Sequence, residues 1–82
     1  MDKITEYRNA IDTIDKEILA YLNDRFYYCV AIGQEKKKLG IQNSYVPERE
    51  KAIINSLSAE ENYPGMVEAI WPSIMDFSKT LQ

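Results

Sequence analysis

Histidine is absent from the 82-residue chain, and cysteine occurs once, as Cys29. Without His there is no imidazole base near neutral pH, no Ser-His or Cys-His dyad and no His-ligated metal. One Cys makes neither an intrachain disulfide nor a zinc cage. The three glycines, Gly33, Gly40 and Gly65, are too scattered for a dinucleotide or phosphate-binding loop. Long apolar runs are missing too, so no segment reads as membrane-spanning. The opening stretch MDKITEYRN lacks the apolar core of a signal peptide, and a cytoplasmic protein is expected. A net charge of −3 and a pI near 4.9 argue against a dedicated nucleic-acid binder. Chemistry, if there is any, must run on Arg, Lys, carboxylates, hydroxyls and amides, with neither cofactor nor metal.

What is present is a single globular domain, residues 1–82, in which 45% of residues are hydrophobic and 28% charged. From Asp2 to about Lys38 only Gly33 interrupts a helical pattern. Ile4, Tyr7, Ile11, Ile14, Ile18, Tyr21, Tyr28 and Ile32 keep a three-to-four spacing along it. A glycine there weakens the helix but permits close backbone approach. Residues 39–46 read as a loop. Pro47 suits a first helical position, with Glu48 and Glu50 near the positive end of the helix dipole. This second helix is expected to run to about Ala59–Glu61, with Ile53, Ile54 and Leu57 inward. After a turn at Asn62-Tyr63-Pro64-Gly65, a third helix runs from about residue 65 or 66 to 82. Its stripe is Val67, Ile70, Trp71, Ile74 and Leu81, and Pro72 is expected to kink it. The fold class is all-α, three helices, one long and two shorter.

The long helix implies a partner. Some 36 residues of helix span about 54 Å, whereas a compact domain of this size has a radius of gyration near ~12 Å. The other two helices are too short together to cover the first. A second copy is the simplest cover for its apolar stripe, so an intertwined homodimer is expected.

Polar residues stand where apolar ones belong. Stepping by seven from Ile4, Ile11 and Ile18 leads to Arg25 and then Ile32. A cation at a seam is costly unless paired. Lys36 follows Arg25 by eleven residues, which returns to nearly the same helix face. In the third helix, the line through Trp71 and Ile74 continues to Ser78 and Gln82. Arg8 lies about 25 Å of helix rise from Arg25, too far for one small ligand, but an antiparallel partner brings its own Arg8 toward Arg25. Arg8 from the partner, Arg25, Lys36, Arg49, Glu50, Ser78 and Gln82 then describe a mostly cationic pocket. It suits a small anion with more than one carboxylate. It offers no obvious nucleophile, so its chemistry is positioning and electrostatic stabilisation.

Each residue taken alone has a plainer reading. Arg25 suits a structural ion pair with an Asp or Glu of the partner subunit, and Lys37 and Lys38 suit a solvated run at a helix C-terminus. Arg49 and Glu50 suit an exposed helix start, Ser78 a surface hydroxyl and Gln82 a frayed end. Tyr21, Tyr27 and Tyr28 read as packing, and Cys29 as a core-facing thiol. The functional reading rests on the joint arrangement.

That arrangement resembles the all-helical, AroQ-class chorismate mutases over essentially the whole chain. The family opening Leu-Arg-x-x-Ile-Asp-x-Ile-Asp is similar to Tyr7-Arg8-Asn9-Ala10-Ile11-Asp12-Thr13-Ile14-Asp15. Arg25 follows at the family's interval, then Ile32-Gly33-Gln34-Glu35-Lys36, then Pro47-Glu48-Arg49-Glu50, then Ser78 and Gln82 four apart. The resemblance implies an intertwined dimer with two sites, each taking Arg8 from the other subunit. It implies the Claisen rearrangement of chorismate to prephenate, without a cofactor or covalent intermediate. It assigns Arg8 and Arg25 to the substrate carboxylates, supported by Arg49 and Ser78. Lys36 and Gln82 fall to the ether oxygen, and Glu50 with Lys36 to the ring hydroxyl. Three features depart from the pattern. Val46 stands where an Asp commonly precedes the helix proline, with Ser44 a substitute cap. Pro72 sits inside the third helix, and the sequence stops at Gln82 where family members usually run on. Two other readings stay open: an isochorismate-pyruvate lyase of the same fold, and a non-catalytic helical dimerisation or regulatory module. Retained Glu50 and Ser78 favour the mutase, and Val46 weakens that preference slightly.

Overall fold

The structure, a computed structural model, describes residues 2–42 and 46–82. Among the described residues there are three α-helices and no strand: α1 (Lys3–Leu39), α2 (Pro47–Ser58) and α3 (Met66–Leu81). The all-α expectation is met, and each helix has a local cause. Asp2 caps α1, its Oδ1 accepting from the Ile4 amide at 2.9 Å, and Oδ2 accepts from the Thr5 hydroxyl. Gly40, at φ 72°, stops the helix with a left-handed turn. There the Ile41 and Gly40 amides reach back to the carbonyls of Lys36 and Lys37, the paired closure that positive φ permits. Lys36, Lys37 and Lys38 fill the last turn, where cations complement the dipole.

Pro47 opens α2 as expected, behind Val46, which supplies no side-chain cap. Ser44, the substitute cap, lies outside the described residues. The expected end of α2 needs correction: the helix stops at Ser58, not at 59–61. Glu61 is used elsewhere. Its two carboxylate oxygens accept from the Gly65 and Val67 amides, each at 3.0 Å, and so satisfy the start of α3. α3 runs unbroken through Pro72, whose ring is on the exposed side. The carbonyl that loses its intrahelical donor there belongs to Glu68, also exposed and open to water.

α3 is the central element, packing on both α1 and α2, while α1 and α2 make no backbone approach of their own. Val67, Met75 and Ser78 of α3 are buried, as are Cys29 and Gly33 of α1. The rings of Phe26 and Phe77 meet edge to face, with centroids 4.9 Å apart. The inward stripe of α3 also needs correction. Ile70 is 46% exposed, and Met75 takes the buried place, because the line turns inward through Val67, Trp71 and Met75 at steps of four. Gly33 behaves as a close-approach glycine: a Cβ there would lie 3.0 Å from the Gln82 carbonyl oxygen.

One chain leaves its apolar stripe uncovered. Ile4, Tyr7, Ile11, Ile14 and Ile18 on α1 are all exposed. Tyr21, Tyr27 and Tyr28, expected as packing residues, are exposed within the single chain, and Tyr27 and Tyr28 meet only edge to face with each other. The physical reason is length. α1 projects well past α3, the molecule measures 59 × 23 × 15 Å, and its radius of gyration is 16.4 Å. An accessible surface of 6,920 Å² compares with about 5,000 Å² for a compact monomer of this mass.

Candidate functional site

Where α3 crosses between α1 and the start of α2, the three helices line a half-open cavity of about 290 Å³. α1 contributes Arg25, Ile32 and Lys36, the latter two lying about two and three helical turns after Arg25, so that all three share a face. The start of α2 contributes Val46, Arg49, Glu50 and Ile53, and α3 contributes Met75, Ser78, Lys79 and Gln82. Ile32, Val46, Ile53 and Met75 make an apolar lining, and charged groups stand among them. Four side chains are cationic (Arg25, Lys36, Arg49 and Lys79), against the single carboxylate of Glu50. The cavity is therefore strongly positive on a chain whose net charge is −3.

Arg25 is fixed from below. Its Nη1 donates to the Ser78 hydroxyl and lies 4.0 Å from the Cys29 sulfur. Ser78 is only 4% exposed. Its hydroxyl donates in turn to the Ile74 carbonyl at 2.8 Å, so its remaining capacity serves the guanidinium. The reading of Ser78 as a surface hydroxyl is thereby corrected. Within the chain no carboxylate stands within reach of Arg25 among the described residues. Neither Lys36 nor Arg49 has a carboxylate partner among the described residues. Lys38, by contrast, pairs with Glu35 on the exposed surface at 4.0 Å, in keeping with a solvated role. Cys29 is buried, as its core-facing reading requires. Gln82, just past the end of α3, is half-buried and lines the cavity.

Of the seven residues singled out from sequence, the structure brings six together: Arg25, Lys36, Arg49, Glu50, Ser78 and Gln82. Arg8 is not among them. It is exposed near the far end of α1, about 25 Å of helix rise from Arg25. Pro72 does not carry Ser78 or Gln82 away from the site.

Sequence reasoning missed Lys79 and Met75. The signal was present in the spacing: Met75, Lys79 and Gln82 follow one another at steps of four and three on the face that enters the cavity. It was hidden because Lys79 is charged and adjoins the more obvious Ser78. Its ammonium lies 3.0 Å from Glu50 Oε1 and 3.5 Å from Asp76 Oδ1. A second, more open groove adjoins the cavity, sharing Arg25, Arg49 and Ile53 and adding Ala52, Ser56, Leu57 and Trp71.

Comparison with known proteins decides the lineage. The family described as chorismate mutase type II matches residues 7–82. The chain belongs to that family. A bifunctional chorismate mutase/prephenate dehydratase of Neisseria gonorrhoeae is 49% identical over 51 residues, covering 62% of this chain and 13% of that protein. A protein of the same description from Aquifex aeolicus is 40% identical over 57 residues, covering 70% of this chain and 16% of that protein. The T-protein of Enterobacter agglomerans is 30% identical over 82 residues, covering 95% of this chain and 22% of that protein. The chain thus spans between 13 and 22% of the length of these relatives. No solved structure matches it.

Membership of the chorismate mutase type II family makes the resemblance seen in the motifs one of descent. It also gives the cavity a context. Fixed cations on three separate helices cannot follow a moving charge, but they can be set in advance around one. No described helix is long and apolar enough to cross a membrane.

Proposed function

We propose that the chain is a chorismate mutase domain, which binds chorismate in this cavity and rearranges it to prephenate in phenylalanine and tyrosine biosynthesis. What supports the reading best is one observation. Arg25 and Lys36 of α1, Arg49 and Glu50 of α2, and Ser78 and Gln82 of α3 converge on a single cavity that carries a cationic excess.

The reaction is intramolecular. One C–O bond breaks as one C–C bond forms, and no proton, electron or leaving group is exchanged with the protein. The protein's part is then to select a reactive shape and to stabilise a charge distribution. Arg25, held by Ser78, takes one carboxylate of the dianion, with Arg49 in support at the second helix. Lys36 and Gln82 act on the ether oxygen, which gains negative charge as its bond to carbon stretches. A donor that strengthens only as this charge grows lowers the barrier; one that binds substrate and transition state equally does not. Glu50, with Lys36, accepts the ring hydroxyl and sets the orientation of the ring. The apolar side chains between these groups keep water sparse and the charge interactions strong.

The working unit in this proposal is a homodimer. The exposed apolar stripe of α1 and about 1,900 Å² of surface per chain beyond that of a compact monomer, about 3,800 Å² for two chains, are of the size an obligate dimer interface covers. An antiparallel pairing of two α1 helices brings the partner's Arg8 to the open side of the cavity, where it meets the second carboxylate. Following the loss of chorismate ultraviolet absorbance, with the product identified, tests the reading. Prephenate formed above the uncatalysed rate supports it. No acceleration would favour a non-catalytic helical module, and pyruvate released from isochorismate would favour the lyase.

A further inference from the structure

The established motifs leave one charged group in the cavity without a role. Lys79 stands on the last turn of α3, one residue beyond Ser78, and its ammonium is 3.0 Å from Glu50 Oε1 across the gap between α3 and α2. The Glu50 side chain is 23% exposed and that of Lys79 38%, so this pair is better shielded than the surface pair of Lys38 and Glu35, at 75% and 62%. Asp76, one turn earlier on α3, flanks the same ammonium at 3.5 Å. Lys79 is therefore anchored on its own helix while it grips a residue on another.

We infer that Lys79 is a positioning residue for Glu50, fixing the carboxylate that receives the substrate's ring hydroxyl. This rests on the reading proposed above for the cavity. The carboxylate of Glu50 has a local alternative. Lys36, Arg25 and Arg49 line the same space, and a carboxylate left untethered beside three cations turns toward whichever is nearest. That would cancel positive charge needed by a dianionic ligand. Lys79 engages Oε1 from α3, and a carboxylate held by one oxygen keeps acceptor capacity on the other. The same bond ties the start of α2, which lacks a side-chain cap at Val46, to the end of α3. Thus Lys79 acts through Glu50 and need not touch the reacting bonds.

The hydroxyl changes little in charge as the C–O bond breaks, so its grip is felt about equally by substrate and transition state. Loosening such an interaction raises KM and leaves kcat nearly as it was. The test is a double-mutant cycle on the full chain, with chorismate as substrate and circular dichroism as the check on folding. K79M is expected to raise KM about tenfold with kcat within about threefold, and K79R to recover most of the loss. In an E50Q background, K79M is expected to cost less than about twofold, because the two residues act as a unit. An unchanged KM in K79M overturns the inference, and so does an equal loss with and without the Glu50 carboxylate. If the unaltered chain does not turn over chorismate, the reading of the cavity falls and takes this inference with it. Turnover by the unaltered chain with no effect of K79M removes the inference alone.

Discussion

Gly33 in the middle of α1 and Gln82 at the end of α3 approach so closely that a Cβ on residue 33 would lie 3.0 Å from the Gln82 carbonyl oxygen and 3.1 Å from its Cα. The glycine that weakens α1 as a helix is what lets α3 seat its terminal amide beside the cavity. Both neighbours are backbone atoms, which cannot swing aside as a side chain does. Gly33→Ala should therefore displace the last turn of α3. The methyl gains about 1 kcal/mol of helix propensity, but the overpacking costs about 1–3 kcal/mol. A lower melting temperature and a reduced kcat are expected together, read by thermal unfolding and by steady-state kinetics. A variant more stable than the parent would show that the approach is not tight.

Ser78 is buried under Arg25, and among the described residues its hydroxyl has two partners, the guanidinium and the Ile74 carbonyl. Ser78→Ala removes an acceptor from a half-buried cation. Stability should fall by about 1–3 kcal/mol, and kcat/KM by roughly tenfold as Arg25 loses its fixed direction. Chemical denaturation and kinetics on one preparation check both. Loss of stability without loss of kcat/KM would leave Ser78 a purely structural partner.

Lys36 is the donor assigned to the oxygen on which charge grows. Lys36→Ala should lower kcat by about 10²–10³, while size-exclusion chromatography shows the same oligomer as the parent. Turnover within tenfold of the parent would remove Lys36 from this role.

Arg8 and Arg25 are assigned to the same site but to different subunits. Arg8→Ala and Arg25→Ala should each be inactive alone. Mixed, unfolded and refolded together at equal concentration, they should recover about a quarter of parental activity, because half the dimers are mixed and each mixed dimer holds one intact site of two. Recovery near zero would place both arginines in the same subunit's site.

Val46 caps nothing at the start of α2. Val46→Asp should supply a side-chain acceptor for the first-turn amides and stabilise the protein by about 1 kcal/mol. Thermal unfolding measures it. The gain should persist at high salt, because a cap is a local hydrogen bond and is screened less than a surface ion pair.

Much of the fold was legible in the sequence because helices answer to local rules. Apolar residues at three-to-four spacing, Pro47 at a helix start, Gly40 at a helix end and a stripe too long for one small chain are all written within a few turns. The end of α2 was misjudged because Glu61 looks like one more helical residue; its capping of α3 is a bond across a turn, set by the geometry of Gly65. Ile70 was misplaced because two adjacent lines of α3 look equally apolar, and only packing chooses between them.

The candidate site divides in the same way. By itself the sequence determined which side chains carry charge and at what intervals, and this sufficed to put Arg25 and Lys36 on one face and Ser78 and Gln82 on another. It excluded covalent and metal chemistry through imidazole by having no imidazole at all. The crossing of α3 between α1 and α2 was decided only by the tertiary structure. That crossing brought Lys79 against Glu50, put Ser78 beneath Arg25 and pressed Gln82 onto Gly33. Such pairings join residues 29 to 53 positions apart, or about 49 in the case of Gly33 and Gln82. No periodicity within a helix encodes them, because they depend on the angle and depth at which separate helices pack.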